Sequence, residues 1–308
     1  LQQQGHRPIA LVEEREEDYP AVLGNLQMAV QADPKYVDAR VKLGNYYAVG
    51  RKVAETRAEA DAAMALAPDS PSVRLLNAWA FYVAGDRARA LEEAGTTLRL
   101  DPKRRDAVTL LASLRAEAGR FPEALTAIDD GIRVADKADT ESLRRVRVAV
   151  LVQAGQAEQA ERDLKALVAD FPAVPAYEVA LARLFVSQNR MGEAEERIRS
   201  LVARDPDNAD WRVQLADLLV NQRQSADAEA GLKQAVREHP ASGAMRFALA
   251  DFYATNQRPD EALKVYEAVL AAGPKPEEAL AARNRIEPIV DELGLGDSAL
   301  VEYVAEVT

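Results

Sequence analysis

The side chains able to do chemistry are few, and they are placed badly for it. The chain has 2 histidines and no cysteine among its 308 residues. A cysteine nucleophile, a disulfide and a thiolate metal site are therefore all excluded. His6 and His239 lie near opposite ends of the sequence and cannot share a metal. His239 stands directly before Pro240, the place of a surface loop residue. Carboxylates are plentiful, but they alternate with arginine and lysine, as in Glu193-Ala194-Glu195-Glu196-Arg197. That spacing belongs to an ion-paired, solvated helix face rather than to an acid–base pair. No HExxH, GxSxG, GxGxxG or phosphate-loop pattern occurs. The sequence thus predicts a protein that is not an enzyme and uses no cofactor or metal. The formal net charge of -11 argues against nucleic acid, which selects a basic face, and reads as a solubilising surface.

Binding remains, and one pair of side chains stands out. Aromatics make up only 6% of the chain. Trp79 and Tyr82 share a helical face at spacing i, i+3. Two readings fit this pair. It can fill the space between packed helices, or it can anchor a partner, since interface hot spots favour Trp and Tyr.

The elements that position these residues repeat. Pro34, Pro68 and Pro102 are evenly spaced, and Pro172, Pro206, Pro240 and Pro274 repeat the same interval. Between the two runs, the step from Pro102 to Pro172 is two such intervals plus two positions. The site of the missing stop, Asp136, reads as a surface loop that has lost its proline and gained two residues, near 136–140. A second ladder keeps the same register: Ala90, Ala124, Ala160, Ala194, Ala228 and Ala262, with Val22 and Thr56 in the first two units. A small residue recurring there marks a close crossing of two helices. A third ladder is Leu43-Gly44, Leu111-Ala112, Leu181-Ala182, Leu215-Ala216 and Leu249-Ala250, followed at helical spacing by Tyr47, Phe185, Leu219 and Tyr253. Arg115 interrupts the large residues of unit four. Asp-Pro pairs such as Asp33-Pro34 close one helix and open the next. Gly50, Gly85, Gly119 and Gly155 are placed to end the first helix of a hairpin in a left-handed conformation.

A fixed period of about 34 residues, with helix–turn–helix units in phase by three markers, resembles the tetratricopeptide repeat family. Unit two carries Leu43, Gly44, Tyr47, Gly50, Ala63 and Pro68. Unit eight carries Leu249, Ala250, Tyr253, Asn256, Ala262, Tyr266 and Pro274. The likeness runs from about Ile9 to Pro274. The departures are Asp136 for proline, Asn77-Ala78 for Leu-Gly, and Arg147-Val148 in unit five.

The resemblance implies an all-α, right-handed superhelical solenoid of about eight hairpins with a C-terminal capping helix. Residues 1–34 form a partial or atypical first unit, with its first helix from about Pro8 to Glu16 and an acidic run at Glu13, Glu14, Glu16, Glu17 and Asp18. Residues 35–274 form seven units. Residues 275–308 hold the cap, over 277–293 with Pro288 inside it at a kink or first-turn position, and a tail from Ser298 to Val307 that packs on the cap or docks elsewhere. Solenoids need such caps to cover the last apolar face.

The resemblance also places function on a concave groove lined by the first helices. It nominates Asn45, Leu75, Trp79, Tyr82, Ser113, Arg145, Arg183, Asp217, Phe247 and Asp251, with Val41, Ala48, Thr109, Ala149, Val179 and Val213 beside them. One branch of the family clamps a peptide's terminal carboxylate with a lysine four residues before an asparagine. The corresponding pairs here, from Val41/Asn45 to Phe247/Asp251, contain no such lysine, so that clamp is not expected.

The expected function is a non-catalytic scaffold holding a protein or peptide segment in the groove. Similar bacterial multi-repeat proteins include envelope lipoproteins tied to polysaccharide export or outer-membrane assembly, so a periplasmic or outer-membrane-anchored location is expected ahead of the cytoplasm. The alternatives are a homo-oligomer stacked through end faces, or the regulatory part of a larger chain. No apolar run reaches the ~18 residues of a membrane span. The chain begins at Leu1 inside a helical pattern, without a visible signal peptide, and reads as a processed piece.

Overall fold

The computed structural model describes residues 19–293. The expected first helix at Pro8 to Glu16, the acidic run, His6 and the Ser298 tail lie outside the described residues. Those described hold sixteen α-helices and no strand. They divide into two compact units, the first ending at Leu167 and the second beginning at Val168.

In the first unit, α1 (Tyr19–Ala32) precedes α2 (Val37–Val49), α3 (Val53–Leu66), α4 (Pro71–Val83), α5 (Arg87–Leu100), α6 (Arg105–Glu117), α7 (Phe121–Val134) and α8 (Lys137–Gln153); α9 (Ala157–Asp170) carries the boundary. In the second, α10 (Pro175–Ser187) is followed by α11 (Met191–Arg204), α12 (Ala209–Asn221), α13 (Ser225–Glu238), α14 (Gly243–Thr255), α15 (Pro259–Ala271) and α16 (Pro276–Glu292). Helices α2, α4, α6, α10, α12 and α14 each pack on the odd-numbered helix that follows.

Helix starts follow the chain's own chemistry. Pro71, Pro175, Pro259 and Pro276 occupy the first turn of α4, α10, α15 and α16, where no N–H is needed. Asp86, Asp136, Asn208 and Ser242 accept hydrogen bonds from backbone N–H groups of the first turn of α5, α8, α12 and α14.

The alanine ladder is the seam of each hairpin. Ala90, Ala124, Ala160, Ala194 and Ala262 have no exposed surface, and Ala228 has 2%. Thr56 fits the same slot at 0% by turning its hydroxyl onto the Lys52 carbonyl, 2.7 Å away. Large aliphatics such as Leu76, Leu110, Ile128, Leu181 and Leu232 fill the space around the seam. Each contributes about 1.5–3 kcal/mol of hydrophobic stabilisation. At the C-terminal end, α16 buries Ala282, Ile286, Ile289 and Val290 in one cluster with α14 and α15 residues, and the helix continues through Pro288.

Two local expectations are corrected. The left-handed turn residue is not Gly50, whose φ is -74°, but Arg51 at 53°. The same place holds Gly85, Gly119 and Gly155 and then Asn189, Arg223 and Gln257, all with positive φ. Gly50 sits one residue early, so its unit places an L side chain where three others have glycine. The extra residues at Asp136 are not a loop. They lengthen α8 to 17 residues, against 13 for α6 and α10. Without a proline, Asp136 caps an additional helical turn, its carboxylate accepting from the Asp139 N–H at 2.9 Å.

Candidate functional site

The nominated residues separate into those the core consumes and those it leaves open. In the first unit, Leu75 and Trp79 are 5% and 4% exposed. They pack with Ala48, Leu110, Leu111 and Leu114 in one cluster. The expectation that they line a groove is therefore corrected. Alanines at Ala48, Ala78, Ala90 and Ala94 leave a volume between the helices, and the indole fills it. Tyr82 stays half-buried, its ring edge-on to Trp79 at 5.4 Å and covered by the Arg87 guanidinium at 4.1 Å. Its hydroxyl donates to Glu117 at 2.9 Å, so the ring and its polar tip are both engaged. Val41, Ala48 and Thr109 are buried, and the Thr109 hydroxyl donates back to the Arg105 carbonyl. Asn45, Ser113 and Arg145 are half-buried on α2, α6 and α8, and Arg145 donates to the Ser142 hydroxyl at 3.3 Å.

The second unit keeps an open wall between α10 and α12. A cavity of about 270 Å³ is lined by Val179, Arg183, Ile198, Gln214, Asp217 and Asn221, among others. A wider concavity of about 660 Å³ adjoins it, reached by Pro175, Trp211 and Val213 and sharing Val179, Arg183 and Gln214. The repeat explains this layout. Residues at the same place in successive first helices stack into a column facing one wall.

One such column carries charge: Arg183 on α10, Asp217 on α12, Asp251 on α14 and Arg285 on α16, each one repeat after the last. The last two members close on each other. Arg285 Nε donates to Asp251 Oδ1 at 3.0 Å, and the Tyr266 hydroxyl donates to the same oxygen. Burial, and then the bond to Asp251, push the Tyr266 phenol well above its ordinary pKa. Arg285 also covers the Phe247 ring at 5.0 Å. Phe247 and Asp251 are thus held by α15 and α16. Sequence reasoning missed Arg285, because it lies in the cap, although one further repeat step reaches it directly. Gln214 and Asn221 were missed as well, and their types alone gave no signal.

The first two members stay open. Arg183 and Asp217 are exposed and line the same cavity, with no ion pair joining them among the described residues. The walls crowd the Asp217 carboxyl without supplying a cation, and that desolvation raises its pKa above the ordinary value. No group of three potential metal ligands occurs among the described residues. His239 ends α13 half-buried, with Asp207 at 2.5 Å from its Nδ1. The arrangement offers one cation, one anion, amide donors and acceptors, and an apolar lining, and these are means of binding.

Family models of the tetratricopeptide repeat match residues 75–139 and 213–275, and residues 151–212. No curated protein matches the sequence. Among solved structures, yeast Tom70 is similar at a TM-score of 0.56 and 14% identity, over 94% of this chain and 62% of that one. A tetratricopeptide repeat protein from Parabacteroides merdae gives 0.50 and 16%, over 75% and 91%. The APC/C hetero-tetramer Cut9–Hcn1 gives 0.49 and 15%, over 88% and 52%, so this chain spans about half of that chain's length. At these identities the likeness to Tom70 and to the Parabacteroides merdae protein is one of fold alone. The proline, alanine and leucine ladders, the sixteen described helices and the family models over more than half of the sequence agree: this chain belongs to the tetratricopeptide repeat family.

Proposed function

We propose that the protein is a non-catalytic scaffold that holds a segment of a partner protein against the α10–α12 wall of its second unit. Tetratricopeptide repeats serve in general for protein–protein interaction, and that part follows from family membership. The choice of wall rests on one observation. Between α10 and α12 the column of first-helix residues leaves a lined cavity with Arg183 and Asp217 uncommitted, whereas Asp251 and Arg285 in the same column are paired. Groups already bonded within the fold must break those bonds to bind a partner, and uncommitted groups need not.

The test is capture of partners from source-cell extract by wild-type protein, by Val186→Glu/Val213→Glu, and by Lys264→Glu on α15. Val186 and Val213 stand on the wall and are not fully buried, so the helix content is expected to persist. A partner retained by Lys264→Glu and lost by the wall variant, with unchanged circular dichroism, supports this assignment. A partner bound equally by all three rejects it.

A further inference from the structure

The charged column suggests what the wall selects. Asp251 and Arg285 show that neighbouring members of opposite charge can meet directly, at 3.0 Å. Arg183 and Asp217 also have opposite charges and stand on successive first helices, one repeat step apart. They do not meet, and a cavity of about 270 Å³ has both on its lining. Two opposite charges left unpaired on one cavity are both available to a third body. Resting on the scaffold reading above, we infer that this cavity binds an extended peptide segment carrying one acidic and one basic side chain, the carboxylate on Arg183 and the cation on Asp217.

The chemistry of each contact is specific. A guanidinium offers a fork of donors that matches a carboxylate, with charge-assisted bonds roughly twice as strong as neutral ones. A carboxylate accepts from an ammonium or guanidinium and gains most where its surroundings are partly dehydrated. Asp217 is in that situation, because crowding already raises its pKa. A bound cation would reverse that cost. On the same lining, Gln214 and Asn221 bring amide donors and acceptors suited to a peptide main chain, and the exposed Val186 gives apolar contact. Packed helices lie about 8–10 Å apart. An extended chain rises about 3.3 Å per residue, so opposite charges two or three residues apart span that distance. A uniformly acidic or basic segment would set one of its charges against a like charge, which disfavours binding.

The experiment uses the whole chain and four fluorescein-labelled, end-blocked peptides that differ at two sites three residues apart. These carry Glu and Lys, Glu and Glu, Lys and Lys, or Gln and Gln, in an alanine–serine background, and binding is read by fluorescence anisotropy. The wild type should prefer the Glu/Lys peptide at least about tenfold over the other three. Arg183→Asp should transfer that preference to Lys/Lys, and Asp217→Arg should transfer it to Glu/Glu. The milder Arg183→Gln and Asp217→Asn should only flatten it. An unchanged ranking in the reversed-charge variants overturns the inference, as does a wild type that binds Gln/Gln as well as Glu/Lys. If Val186→Glu/Val213→Glu still loses the cellular partner in that case, the scaffold reading stands and only the charge rule fails. Carbon-13 NMR of the Asp217 carboxyl provides an independent readout. Its pKa should be high in the free protein and fall when the Glu/Lys peptide binds. A pKa already low in the free protein, and raised by Arg183→Gln, would mean that the pair closes on itself, and would overturn the inference.

Discussion

Glu178 near the start of α10 accepts a hydrogen bond from Arg204 at the end of α11, at 2.6 Å, and one repeat later Arg212 and Glu238 make the same link with the charges exchanged, at 3.3 Å. Each pair is separated by 26 residues. The exchange conserves another contact. Arg40, Arg74 and Arg246 each donate to the carbonyl of the proline six residues before them, Pro34, Pro68 and Pro240. In the hairpin where that place is Glu178, Arg204 supplies the donor to Pro172 instead, at 3.1 Å. In these four hairpins a guanidinium ties down the loop, whichever helix carries it.

Glu178→Arg should place two guanidiniums together with the Glu178 site only 8% exposed, costing about 2 kcal/mol of stability. Glu178→Arg with Arg204→Glu should recover most of that loss, because it copies the arrangement of Arg212 and Glu238. Urea unfolding of the two single variants and the double gives the coupling. Additive losses would mean that the exchange has no energetic content.

Asn77 occupies the place that Leu43, Leu111, Leu181, Leu215 and Leu249 hold elsewhere. It is 4% exposed and its Oδ1 has no hydrogen-bond partner. Asn77→Leu should remove an unsatisfied acceptor and add apolar burial, raising stability by about 1–2 kcal/mol. A denaturation midpoint that rises confirms this, and a fall shows that the slot cannot take the larger apolar shape.

Gln257 and Arg223 hold φ of 59° and 61° at the turn place where other hairpins have glycine. Left-handed backbone costs an L residue about 1 kcal/mol. Gln257→Gly and Arg223→Gly should each be neutral to stabilising by up to about 1 kcal/mol, and Gly119→Ala should destabilise by a similar amount. Thermal unfolding of the three variants decides the sign.

Hydrogen bonds from Arg258 and Lys233 hold the Glu229 carboxyl at about 2, below the ordinary 4.5. A depressed acid stabilises the fold above its unfolded pKa. The gain is complete above about pH 5 and is lost as pH falls from 4.5 toward 2. Solvent screening reduces it to about 1 kcal/mol. Glu229→Gln should flatten the stability–pH profile across that window and leave it unchanged near pH 7 apart from a uniform offset. A wild-type profile with the same slope as the variant's would contradict the assignment.

Much of the fold was legible because each ladder has one physical cause. Proline and alanine recur once per repeat where a helix must stop or two helices must touch, and Ala90 to Ala262 are buried as that logic requires. Sequence and structure part where residue type and place separate. Trp79 has the residue type of an anchor, but small neighbours pull it into the core. Gly50 has the type of a left-handed residue, but Arg51 has the place. Asp136 has the place of a loop, yet an aspartate without a proline caps a helix well. Of the site, Arg183 and Asp217 were nameable from register alone. That they stand open while Asp251 is closed by Arg285 depends on side-chain contacts, which no repeat pattern encodes.

The most direct test of the central claim is amide hydrogen exchange on the protein with and without its captured partner. The account predicts slowed exchange on binding in α10 and α12, concentrated between Val179 and Asn221, with α13 and α15 unchanged. Slowed exchange confined to α13 and α15, with α10 and α12 unaffected, would contradict it.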